Sequence, residues 1–157
     1  MTARTKSGKS EDAIAMLEAD HHRVRDLFEE FQSADGAAER REIAERLFKE
    51  LETHSQLEED IFYPAVASKG DDAQKTRVAT ARKNHEKIKR MIGDLRKLET
   101  DDEQYDARFQ ELMETVEQHV EDEEGELFEA AESELGDDSE ALGVQMEESR
   151  KQINAQP

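Results

Sequence analysis

Five histidines occur in this 157-residue chain: His21, His22, His54, His85 and His119. Two of them precede a glutamate by four residues, His54 with Glu58 and His119 with Glu123. On a helix, residues i and i+4 stack on one side, so the imidazole and the carboxylate of each pair can reach one point. A neutral imidazole nitrogen combined with carboxylate oxygens suits iron, manganese or zinc. The chain contains no cysteine, which excludes a disulfide framework, a thiolate metal site and a thiol nucleophile.

The elements that must position these residues are amphipathic helices. One segment, about 11–33, carries an apolar stripe of Ile14, Leu17, Val24, Leu27, Phe28 and Phe31 and ends before Gly36, with Ser10 as the expected N-cap. A second, about 38–68, carries Ile43, Leu47, Phe48, Leu51, Ile61 and Phe62, and Pro64 is expected to kink or end it. The third, about 73–98, has Val78, Ala81, Ile88, Met91, Ile92 and Leu95. The fourth, about 106–134, has Phe109, Leu112, Met113, Val116, Leu127 and Phe128. Short connections between long helices favour antiparallel neighbours, so the expected fold is all-α, an up-down-up-down four-helix bundle. The domain reading is a disordered lead over 1–10, the helical domain over 11–134 and an acidic extension over 135–157. Leu142, Met146 and Ile153 leave room in that extension for a short surface helix, with a frayed "NAQP" end.

Helical phase places each histidine. His21 falls with Ile14, Leu17, Val24 and Phe28 and faces inward, whereas His22 falls with Glu18, Arg25 and Glu29 and faces outward. His54 follows Leu47 and Leu51. His85 lies between Ala81 and Ile88. His119 follows Leu112 and Val116. Each helix therefore supplies one inward histidine. Burying Glu58 and Glu123 is costly unless they are paired or ligating. Four inward histidines and two glutamates match the ligand count of a dinuclear carboxylate site in a bundle core: each glutamate can bridge, and each metal can keep two histidines.

The order His21, His54-x-x-x-Glu58, His85, His119-x-x-x-Glu123 resembles the hemerythrin-like, HHE cation-binding family. The flanking words "EADHHRVRDLFEEF", "HSQLEEDIFYPAV", "NHEKIKRMI" and "HVEDEEGELFEAA" are similar as well, and the resemblance spans roughly residues 12–134. It implies two non-haem iron ions joined by a bridging oxygen, with zinc or manganese as secondary choices. It makes His21, His54, His85 and His119 terminal ligands and Glu58 and Glu123 bridging carboxylates. The chain departs from the oxygen-carrying members. Lys89 stands where they have a second histidine on the third helix; its spacing from His85 turns it towards the site, the alternative being a side chain that snorkels outward from that stripe. Their last motif has a longer spacing that falls here on Glu124, although Glu123 lies nearer the inward stripe.

A net charge of −19, from 41 acidic and 22 basic residues, argues against nucleic acid as a partner. No apolar run approaches a membrane span, and "MTARTKSGKSEDA" lacks the apolar core of a secretion signal. A cytoplasmic monomer or weak dimer is expected. The expected activity is reaction with hydrogen peroxide, oxygen or nitric oxide in an oxidative-stress or iron-linked redox role, including catalase-like disproportionation. The alternatives are a sensing or binding module without turnover, or iron buffering. Tyr63, beside Pro64, reads as a packing residue with its hydroxyl at the surface, the alternative being approach to the metal.

Overall fold

The computed structural model describes residues 12–155. Asp12 opens the first helix, its carboxylate accepting the Ala15 amide at 2.8 Å, which satisfies one of the donors left free at a helix start. The expected Ser10 cap and the lead over 1–10 lie outside the described residues. Helix α1 (Ala13–Ser33) ends before Gly36, whose φ of 87° lets the chain reverse into α2 (Ala37–Leu57). A π-helical turn, Glu58–Phe62, continues α2 into α3 (Tyr63–Lys69). Asp71 caps α4 (Asp72–Arg96) through the Gln74 amide. Helix α5 (Tyr105–Asp122) runs through a second π-helical turn, Glu123–Leu127, into α6 (Phe128–Leu135). Helix α7 (Asp138–Ala155) follows the turn at Gly136. There is no strand among the described residues.

Numbers that rise along one helix fall along its neighbour. Arg23 pairs with Glu50 while Glu30 pairs with Arg46, and Arg25 reaches Glu117 while Phe31 stacks on Phe109. Arg96 grips Glu45 and Glu52 where His85 meets Glu59. The α1–α2 and α4–α5 pairs touch most extensively.

Pro64 neither ends nor interrupts its helix, and the π-helical turn is the reason. In that turn the Tyr63 amide bonds the Glu58 carbonyl five residues back. The same register would ask residue 64 to donate to the Glu59 carbonyl. Proline has no N–H to give, and Arg82 reaches that carbonyl instead at 3.4 Å. The second π-helical turn is held likewise from α4: the buried Gln74 donates to the Leu127 carbonyl at 2.9 Å.

The apolar core forms two clusters. One gathers Phe31, Leu47, Phe48, Ile92, Tyr105 and Phe109; the other gathers Ile14, Leu17, Leu57, Phe62, Val66, Phe128 and Met146. The stretch 135–157, expected to be at most a short surface helix, contains an 18-residue helix that packs on α1 and α2 and buries Met146 completely. Asn154 and Ala155 of the expected frayed end are helical. Its apolar positions are few, which is why periodicity understated it; ion pairs also hold it, Asp138 to Lys69 of α3 and Arg150 to Asp20 of α1.

Candidate metal centre

All six residues singled out by helical phase are buried. His21, His54, His85 and His119 are at most 5% exposed, and Glu58 and Glu123 at most 1%. His22 is exposed, one residue and about 100° of helix turn from His21. The six form two overlapping groups, His21–His54–Glu58–Glu123 and Glu58–His85–His119–Glu123, each with its ligand atoms within 4.8 Å of one another. Glu58 and Glu123 belong to both groups. The ring centroids of His21 and His54 are 4.9 Å apart, and those of His85 and His119 4.8 Å.

The donor set tests whether a metal pair fits. Nε2 of His21 and of His54, Oε2 of Glu58 and Oε1 of Glu123 are buried without a hydrogen-bond partner. His21 Nε2 lies 3.2 Å from Glu123 Oε1, yet the two are not aligned to bond. Folded proteins rarely orphan buried polar atoms, because each unmet group carries its full desolvation cost. Four such atoms around one centre are what cations would satisfy, and the residues fit the metal pair that their type and number suggest.

The opposite ring nitrogens are held by carboxylates. Nδ1 of His21 meets Glu124 at 2.6 Å, that of His54 meets Asp20 at 2.8 Å, and that of His85 meets Glu59 at 2.7 Å. A carboxylate accepting from Nδ1 fixes the tautomer and leaves Nε2 free to ligate. Glu124 therefore supports a histidine from a half-buried position, while Glu123 stands in the centre. Of these supports, Asp20 and Glu59 were missed. Asp20 adjoins His21 in sequence and reads as one more acid among 41; its helical phase, three residues after Leu17 and four before Val24, was the available signal.

Tyr63 corrects the expectation of a surface hydroxyl. It is 0% exposed, and its hydroxyl lies within hydrogen-bond reach of two carboxylates, Glu58 at 3.0 Å and Glu123, to either of which its one proton can be donated, and 3.3 Å from His85 Nε2. Burial, then the charges of Glu123 and Glu58, push the phenol well above its ordinary pKa, so it stays protonated. Lys89, expected to face the site, is exposed and sits on the rim of a cavity that reaches His85.

Charge balance within the cluster is tight. Burial works against a charged His54, but the Glu58 charge and the Asp20 hydrogen bond outweigh it and raise its pKa well above the usual histidine value. Burial likewise disfavours an ionised Glu58, yet the charge of His54 and hydrogen bonding hold it well below the usual carboxylate value. Two cavities approach the centre from α4. One of about 380 Å³ touches His119 and Glu123 between Thr80, Asn84 and Leu127; the other, about 450 Å³, touches His85 and Glu59.

The chain belongs to the hemerythrin HHE cation-binding domain family, whose model matches residues 12–131. It is similar in fold to the hemerythrin HHE cation binding domain-containing protein of Mycobacterium kansasii, with a TM-score of 0.79 at 22% identity, covering 90% of this chain and 86% of that one. It is also 27% identical over 128 residues to a DNA nickase of Nostoc sp., a match that takes in 80% of this chain. The match spans about a third of that relative's length, 34%.

Proposed function

We propose that the buried cluster holds two non-haem iron ions joined by a bridging oxygen and that the protein consumes hydrogen peroxide, with oxygen and nitric oxide as further reactants. The observation that carries this reading is the pair of four-ligand groups sharing Glu58 and Glu123, with four unpartnered donor atoms in the His21–His54–Glu58–Glu123 group. In this reading His21 and His54 would hold one metal and His85 and His119 the other, and Glu58 and Glu123, which belong to both groups, would serve both. The four ligand-bearing segments form an up-down-up-down bundle, which the antiparallel run of the ion pairs supports.

When bound, the iron pair supplies Lewis acidity and redox capacity. The protein contributes geometry, access and a proton. Asp20, Glu59 and Glu124 orient three imidazoles. The two cavities lead to the His85 and His119 side, wide enough for small molecules. Tyr63 holds a proton at its hydroxyl beside both carboxylates, where a reacting oxygen would need one. The fifth histidine of the chain, His22, is exposed, and Lys89 is exposed on the rim of the His85 cavity, so neither stands as a further ligand. Open access favours engaging both oxygens of a peroxide over reversible carriage of oxygen. A charge of −19 favours a small-molecule reactant over nucleic acid.

Iron analysis, the near-ultraviolet spectrum and a peroxide turnover assay on the native protein test this. Two irons per chain, near-ultraviolet absorption of the oxidised form and sustained peroxide consumption are expected. A protein that binds oxygen reversibly and ignores peroxide overturns the reading in favour of oxygen binding or sensing.

A further inference from the structure

Helix α7 begins beyond the segment matched by the family model, yet one of its side chains reaches within two contacts of the metal ligands. Arg150 Nη2 lies 2.9 Å from both oxygens of Asp20. Asp20 is 0% exposed, and its other partners are Arg23, one turn along α1, and Nδ1 of His54. Arg150 is itself largely covered, at 16% side-chain exposure, whereas Arg23 is 49% exposed. Glu50 on α2 joins both arginines, at 2.9 Å from Arg23 and 3.8 Å from Arg150. The result is a continuous chain of contacts from α7 through Asp20 to one imidazole.

The other two supported imidazoles are built differently. Glu59 behind His85 and Glu124 behind His21 are about a third exposed, and no arginine pairs with either carboxylate in the ion pairs of the described residues. Burying a carboxylate is costly unless cations and donors surround it. Of the two arginines that meet Asp20, the better covered comes from α7 and lies 2.9 Å from both carboxylate oxygens, one of which faces His54 Nδ1 at 2.8 Å. We infer that Arg150 is a positioning residue for the metal centre. Through Asp20 it holds the His54 ring with Nε2 directed inward, so that α7 secures the metal on the His21 and His54 side and leaves the His85 and His119 side the more exchangeable.

This inference rests on the two-metal reading, and the test separates the two. Purified full-length protein is loaded with ferrous iron without oxygen and then challenged with a ferrous chelator, with stoichiometry and release followed over time. Wild type should bind two irons and release them in two phases. Arg150→Gln should accelerate the slower phase by roughly ten- to hundredfold, the usual scale for losing an outer partner of a metal-bound histidine, and leave the faster phase unchanged. Arg150→Lys, which keeps the charge but not the planar fork, should recover part of the retention. Asp20→Asn supplies the same readout if Arg150→Gln does not fold, because the amide oxygen still accepts from His54 while the tie to Arg150 loses its charge. If wild type binds two irons and the variants release both at wild-type rates, the inference is overturned and the two-metal reading stands, even if their melting temperatures fall. Acceleration of both phases equally also overturns it. A wild type that binds no iron removes both readings.

Discussion

The adjacent pair His21 and His22 is the sharpest test at the scale of single residues. His21 is 3% exposed, places an unpartnered Nε2 in the cluster and stacks on Phe128 at 6.0 Å; His22 is in solvent. His21→Ala should lose at least one metal equivalent, and His22→Ala should keep both, as read by metal analysis after gel filtration. Equal loss in the two variants would contradict the burial described here. Tyr63→Phe retains the buried ring and removes only the hydroxyl that meets both shared carboxylates. Its melting temperature should change little, its iron absorption should shift, and peroxide consumption should slow on the order of 100-fold if the hydroxyl provides the proton. An unchanged rate and spectrum would assign Tyr63 to packing alone.

At the scale of elements, the two π-helical turns show why the tyrosine was misread. In an α-helix, residues five apart lie about 140° from each other, so Tyr63 would point away from Glu58. A π-helical turn bonds i to i+5 and brings the two onto one face. The second turn carries the same kind of bond, from the Phe128 amide to the Glu123 carbonyl, across a kink at Gly125 (φ −77°, ψ −118°). The halves thus echo each other as His-x-x-x-Glu followed by an aromatic five residues on, with Tyr63 packed on His85 and Phe128 on His21. Only the first aromatic carries a hydroxyl. Away from the site, Phe109 stacks on Phe31 at 3.9 Å and also meets Phe28, Phe48 and Tyr105. Phe109→Ala should cost about 3–5 kcal/mol. Denaturant unfolding should show that loss equally with and without metal, since this cluster lies apart from the ligands. A loss seen only in the metal-loaded form would mean that the two clusters are coupled.

For the whole molecule, metal and stability are linked through pH. Without metal, the raised pKa of His54 means that its contribution is fully present below the unfolded histidine value of about 6.5 and is lost as pH rises through the folded value. Glu58 and Asp20 have lowered values; their contributions are present above the unfolded carboxylate values of about 4 and are lost as pH falls through the folded ones. The metal-free protein should therefore be most stable between about pH 4 and 6.5 on these groups. Metal binding needs neutral imidazole and so strengthens as pH rises. Thermal melts with and without chelator should show a melting-temperature gap that widens from about pH 6 to pH 8. A gap that is absent, or that narrows over this range, would mean that the six residues form an internal hydrogen-bond network rather than a metal site.

The sequence by itself determined the helical nature of the chain and the inward position of His21, His54, Glu58, His85, His119 and Glu123. These follow from a 3.6-residue period that every regular turn obeys, so counting along one segment suffices. It also separated His21 from His22, because adjacent residues on a helix lie about 100° apart. Tertiary structure alone decided the rest. The Tyr63 hydroxyl entered the site because the π-helical turn at Glu58–Phe62 broke that period, and Arg82 reaches across from α4 to meet the Glu59 carbonyl of that turn. Asp20, Glu59 and Glu124 became supports only when a histidine of another segment came within hydrogen-bond distance. Arg150 met Asp20 across 130 residues of chain, through a helix whose own apolar stripe was too sparse to announce it. Periodicity reports which way a side chain points from its own helix; which group on another helix it meets is settled when the helices pack.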